Sequence, residues 1–143
     1  ISTHDLPTAV GFLRGEHVRA RAALGLLRDE TAEWAQAQVD RAELVDLLRF
    51  EGLLSADSED EDEIVVAMHA LLGRTPCQLL LVSPYDVVGE LRQPNLPGTV
   101  DEYPNWRLPL PVTLEQLQRD PRVGQVVAAL RSAGSATSLS VKP

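Results

Sequence analysis

Two stretches of this chain carry side chains suited to chemistry on a polar, uncharged substrate. The first is Ser2-Thr3-His4-Asp5-Leu6-Pro7-Thr8. An aspartate at the end of a strand can stabilise developing positive charge, and the histidine beside it can donate hydrogen bonds to hydroxyls. Barrel enzymes place catalytic groups at such strand ends. An aspartate that merely caps the next turn explains the same pair equally well. The second stretch runs from Pro94 to Arg107, Pro-Asn-Leu-Pro-Gly-Thr-Val-Asp-Glu-Tyr-Pro-Asn-Trp-Arg. The amides of Asn95 and Asn105 both donate and accept, which suits sugar hydroxyls. Tyr103 and Trp106 offer flat apolar faces that match a pyranose ring. A proline-stiffened loop packing Trp106 against the protein body is the competing account.

The elements between these stretches must position them. Residues 1–8 read as the end of a strand entering a loop. Residues 9–28 read as a loop followed by a short helix near 16–25. Trp34, Ala37, Leu44, Leu47, Leu48 and Phe50 recur at helical spacing, which predicts a helix over 29–51 stopped by Gly52. The acidic run 55–63 reads as a solvated loop leading into a helix N-terminus, where the dipole favours negative charge. Its spacing fits no calcium loop, because the central glycine is missing. A helix over 62–73 follows, with His69 as a surface or packing residue.

Residues 77–83, Cys-Gln-Leu-Leu-Leu-Val-Ser between Pro76 and Pro84, read as a strand buried on both faces, with Cys77 as a small buried hydrophobe. Tyr85–Gly89 reads as one helical turn. Thr113 and Gln116 form a capping-box pattern, and Pro121 with Asp120 opens a last helix whose apolar face is Val123, Val126, Val127 and Leu130. Residues 132–143 are small and polar and read as a flexible tail. A buried parallel strand needs parallel neighbours. These elements supply one and a half strand–helix units, so the expectation is a piece of a larger α/β sheet.

Bulk properties narrow the function classes. The 143 residues carry 21 acidic and 13 Lys/Arg side chains, a formal net charge of −8. Nucleic acid and anionic membranes disfavour such a surface, whereas a neutral ligand does not. Cys77 is the single cysteine, so no intrachain disulfide forms, and a cytoplasmic setting is expected. No cofactor, metal or obligate protein partner is expected.

In combination, the motif around His4-Asp5 and the loop Asn95–Arg107 resemble the C-terminal part of the 4-α-glucanotransferases, also called amylomaltases or disproportionating enzymes, family 77 of the glycoside hydrolases. The resemblance covers residues 1 to about 131, in matching order and separation. It implies a (β/α)8 TIM barrel, with residues 1–131 as its C-terminal portion and 132–143 as the tail. It implies transfer of α-1,4-glucan segments between malto-oligosaccharides with retention, which needs a nucleophile and an acid/base carboxylate close together. By the same resemblance Asp5 is a third, transition-state-stabilising carboxylate, and His4 binds sugar at the cleavage point. Asn95 matches a substrate-contacting asparagine, and Asn105 and Trp106 are loop-structure or acceptor-side candidates. The segment 77–83 corresponds to the eighth strand. The family's nucleophile and acid/base lie on earlier strands, so the expectation is a fragment that transfers no glucan alone. A stand-alone glucan-binding module and an α-glucan or trehalose-pathway hydrolase with a similar ending remain the alternatives.

Overall fold

The computed structural model describes residues 1–137, with side chains to residue 132. Its elements are α1 (Ala9–Leu13), α2 (Glu16–Ala23), α3 (Glu30–Phe50), α4 (Glu61–Gly73), α5 (Pro84–Val87), α6 (Leu114–Arg119) and α7 (Pro121–Thr137). Local sequence explains most of these limits. The Asp29 side chain accepts from Ala32 N and opens α3, and that of Asp60 accepts from Glu63 N and opens α4. Glu61, Asp62 and Glu63 fill the first turn of α4, as the dipole favours. The acidic run is also tied down. Glu61 pairs with Arg14 beyond α1, and Glu59 takes Arg49 and Arg41 of α3. The capping box of α6 is complete, with Thr113 and Gln116 each bonding the other's backbone. Asp120 accepts from Arg122 N at the start of α7. That helix continues to Thr137, past residue 131, and residues 138–143 of the expected tail lie outside the described residues.

α4 is the central element and packs against α1, α3 and α7. Val10 and Leu13 from α1, Val45 and Leu48 from α3, and Ile64, Val65 and Met68 from α4 form the main core. The five-residue helix α1 lies where a loop is expected from the sequence; Thr8 caps it by accepting from Gly11 N. His69 is a packing residue, fully buried in α4. Its Nδ1 lies 2.8 Å from the Val65 carbonyl, an acceptor only, so Nδ1 carries the proton. Burial pushes the His69 pKa down, and Nε2 has no hydrogen-bond partner among the described residues.

The strand expectations fail among the described residues. Residues 1–8 contain a turn, closed by Leu6 N donating to the Thr3 carbonyl, rather than a strand end. Residues 77–83 form no ladder. Leu79 and Leu81 are 75% and 73% exposed, and Cys77 is exposed rather than buried. The physical reason is pairing. A strand is completed by hydrogen bonds to a neighbour, and none of the described backbone is positioned to provide them. An apolar run delimited by prolines fixes an extended conformation, not its partner.

Candidate active site

The two chemical stretches meet. Asn95 donates from Nδ2 to Asp5 Oδ1 at 2.7 Å, and its backbone N–H donates to the His4 carbonyl at 3.1 Å. His4 Nε2 lies 3.1 Å from the other carboxylate oxygen, Asp5 Oδ2. Asp5 is therefore hydrogen-bonded at Oδ1 and has an imidazole nitrogen beside Oδ2, although the side chain is about half exposed. On the other side of His4 stands Trp106, ring centroids 4.9 Å apart and tilted by 39°. The indole is 66% exposed. Together with Pro94 and Tyr85, His4 and Trp106 line a cleft on this surface.

The loop that delivers Asn95 and Trp106 is held by its own polar groups. Asn105 accepts from Leu96 N at 2.8 Å and donates to Thr99 Oγ1 at 2.9 Å, which consumes its amide inside the loop. Gln93, buried, donates to the Asn95 carbonyl at 2.7 Å, and Tyr103 donates its hydroxyl to the Gln93 carbonyl at 2.9 Å. Trp106 N donates to the Pro94 carbonyl at 2.8 Å. This closure forces Trp106 to φ 59°, an uncommon conformation for a bulky residue. An exposed aromatic in strained backbone is the kind of feature that clusters at ligand sites.

Behind the site, residues 86–91 bind the stretch 2–11. Asp86 of α5, 1% exposed, accepts from Ala9 N at 2.8 Å and from Ser2 Oγ at 2.8–2.9 Å and Ser2 N at 3.3 Å. Thr8 Oγ1 donates to the Glu90 carbonyl at 2.5 Å. The Arg92 guanidinium beside Glu90 holds its carboxyl below the usual carboxylate range, against the opposing effect of burial. At Gly11 a Cβ would stand 2.3 Å from the Leu91 carbonyl oxygen, so α1 can approach this segment only through a glycine.

Comparison with known proteins decides what this assembly is. Residues 1–114 match the model of the 4-alpha-glucanotransferase family. The chain belongs to that family. The 4-alpha-glucanotransferases of Mycobacterium tuberculosis and Mycobacterium bovis are each 45% identical to it over 141 residues, 93% of this chain and 20% of theirs. The enzyme of Haemophilus influenzae is 28% identical over 116 residues, 74% of this chain and 16% of its own. Among solved structures, the amylomaltase of Corynebacterium glutamicum superposes with a TM-score of 0.82 at 34% identity, over 91% of this chain and 21% of that one. The chain thus spans about a fifth of the length of these 4-alpha-glucanotransferases. Asp5, His4, Asn95 and Trp106 lie together on one surface, while the Asn105 side chain is turned into the loop.

Reasoning from sequence overlooked Asp86. It sits in a segment that reads as an ordinary helical turn after Pro84. Its donors are 84 and 77 positions away along the chain, so no local pattern announces them.

Proposed function

We propose that this chain supplies part of the active site of a 4-α-glucanotransferase of its relatives' length, one that transfers α-1,4-glucan segments between malto-oligosaccharides with retention. The observation that carries this reading is Asp5, which is open to solvent yet held at Oδ1 by Asn95, with His4 Nε2 beside Oδ2. A carboxylate so fixed is suited to a transition state with oxocarbenium character, because preorganised charge needs no reorganisation as the reaction proceeds. In this reading His4 donates to a sugar hydroxyl, the Trp106 face stacks on a neighbouring ring, and Asn95 aims Asp5 and touches substrate. Asn105 serves by holding the loop.

Retention needs a nucleophile and an acid/base about 5–5.5 Å apart. The other carboxylates of these stretches are committed. Asp86 is buried on Ser2 and Ala9, Glu102 curls back on the amides of Val100 and Asp101, and Asp101 faces Arg107. By the family resemblance the pair lies on earlier strands of a full-length protein, which would also complete the (β/α)8 barrel and give residues 77–83 their pairing. A cytoplasmic setting goes with this reading, on the ground of the single cysteine.

The test is disproportionation of maltotriose. The full-length protein is expected to release glucose and build longer oligomers with retained anomeric configuration, and the 143 residues alone to do neither. Transfer by the isolated chain, or simple hydrolysis with inversion by the full protein, refutes the proposal.

A further inference from the structure

We propose that Asp86 is a positioning residue: it never touches substrate, and it sets the aim of Asp5 by clamping both ends of the turn that carries it. The inference rests on the reading of Asp5 as the carboxylate that stabilises the transition state.

A buried carboxylate is costly unless donors compensate for lost water. The donors to Asp86 come from Ser2 and Ala9, residues that bracket His4 and Asp5 on either side. The Ser2 hydroxyl lies within hydrogen-bond distance of both carboxylate oxygens, and Ala9 N adds its bond to Oδ1. The stretch from residue 2 to residue 9 is thus pinned to one side chain. The chain from Asp86 then turns through Gly89, at φ 70°, into Glu90, where Thr8 adds a further tie. It continues to Asn95, which grips the Asp5 carboxylate and the His4 carbonyl. The result is a closed ring, Asp86 to Ser2, the turn, Asp5 to Asn95, and back along 95 to 86. With the ring closed, the direction of the Asp5 carboxylate follows from the spacing of Asp86 and Asn95 on one short segment. Opening it at Asp86 frees the Ser2 end and leaves the turn tied by Thr8 and by Asn95.

Asp86→Asn keeps the shape and presents N–H2 where an acceptor is required. With its oxygen towards Ala9 N the amide turns N–H2 to Ser2, where it can donate to the hydroxyl but loses the Ser2 N–H, so the Ser2 end is loosened; turned the other way it loses the Ala9 bond. A catalytic group displaced by about 1 Å loses on the order of 100-fold in rate.

The experiment uses the full-length enzyme as wild type, Asp5→Asn, Asp86→Asn, the double variant and Ser2→Ala. It measures kcat and KM for maltotriose, and the Kd of 1-deoxynojirimycin, a cationic sugar mimic that reads the Asp5 charge. Asp5→Asn is expected to weaken the iminosugar; if it does not, the reading of Asp5 fails and the inference falls with it. Asp86→Asn is expected to lower kcat by roughly 10–100-fold with KM little changed. It should also weaken the iminosugar in the wild-type background and have no further effect in the Asp5→Asn background. Wild-type kcat and Kd in Asp86→Asn, with Asp5→Asn impaired, overturns the inference alone. So does an iminosugar loss that persists undiminished in the double variant, because that marks a general structural role. Should Asp86→Asn fail to fold, Ser2→Ala decides. It removes the hydroxyl and keeps the Ala9 bond, so kcat should fall several-fold at constant KM; an unchanged kcat overturns the inference.

Discussion

The His4–Asp5 turn with its facing loop, and the segment 77–83, stand in opposite conditions within one chain. At the first, nearly every polar group finds its partner among the described residues, from Asn95 on Asp5 to the amide of Asn105 inside its own loop. At the second, an apolar run exposes Leu79 and Leu81 and makes no ladder. The difference shows what each depends on. Hydrogen-bonded loops carry their geometry in their own asparagines, prolines and capping threonine. A strand is specified by its neighbours, and no described residue supplies one for 77–83.

This contrast can be broken first at Asn95. Asn95→Ala removes the donor to Asp5 Oδ1 and should lower kcat in the full-length enzyme by about 100-fold while moving the unfolding midpoint little, as judged by steady-state kinetics beside thermal melts. An equal loss of stability and activity would show that the loop, not its aim, is at stake. Next is Gly11, where α1 meets the Leu91 carbonyl. Gly11→Ala forces a methyl into 2.3 Å and should destabilise by about 1–3 kcal/mol in urea unfolding. No change there would mean that the backing segment is not rigid.

A smaller effect comes from His69, beneath the site. Its pKa is depressed by burial, so the unfolded chain binds the proton more readily. Stability is then full above the ordinary histidine value and falls as pH drops below it, until the lower folded value is reached. His17, whose pKa is also lowered by burial, acts in the same window. Melting temperatures should decline from pH 7 towards pH 5, and less steeply in His69→Gln; a flat profile contradicts the assignment. The smallest effect is expected at the second region. Replacing Leu79 and Leu81 by threonine in the isolated chain should change its stability by no more than about 0.5 kcal/mol, while reducing light scattering on concentration.

Much of the fold was legible from local signals. Thr113 sits as a cap where its spacing with Gln116 implies, and the periodicity of α3 and α4 gives those helices to within a residue or so. The strands were not legible, because the run Cys77–Ser83 encodes extension but not the identity of its neighbour. The candidate site drew on residue types. His4, Asp5, Asn95 and Trp106 stood out, and the structure brings them together. Asp86 did not stand out, and for Asn105 the sequence left a loop-structure and an acceptor-side role open. An asparagine that staples its loop has the same composition as one that binds sugar. The partners of Asp86 lie too far along the chain for any spacing rule to reach.

The central claim is that Asp5, held by Asn95 and flanked by His4, stabilises the transition state of glucan transfer. The most direct test is the turnover of maltotriose by the full-length protein carrying Asp5→Asn, with circular dichroism to confirm the fold. The account predicts a loss of several orders of magnitude in kcat with the fold intact. A turnover near that of the wild type would contradict it.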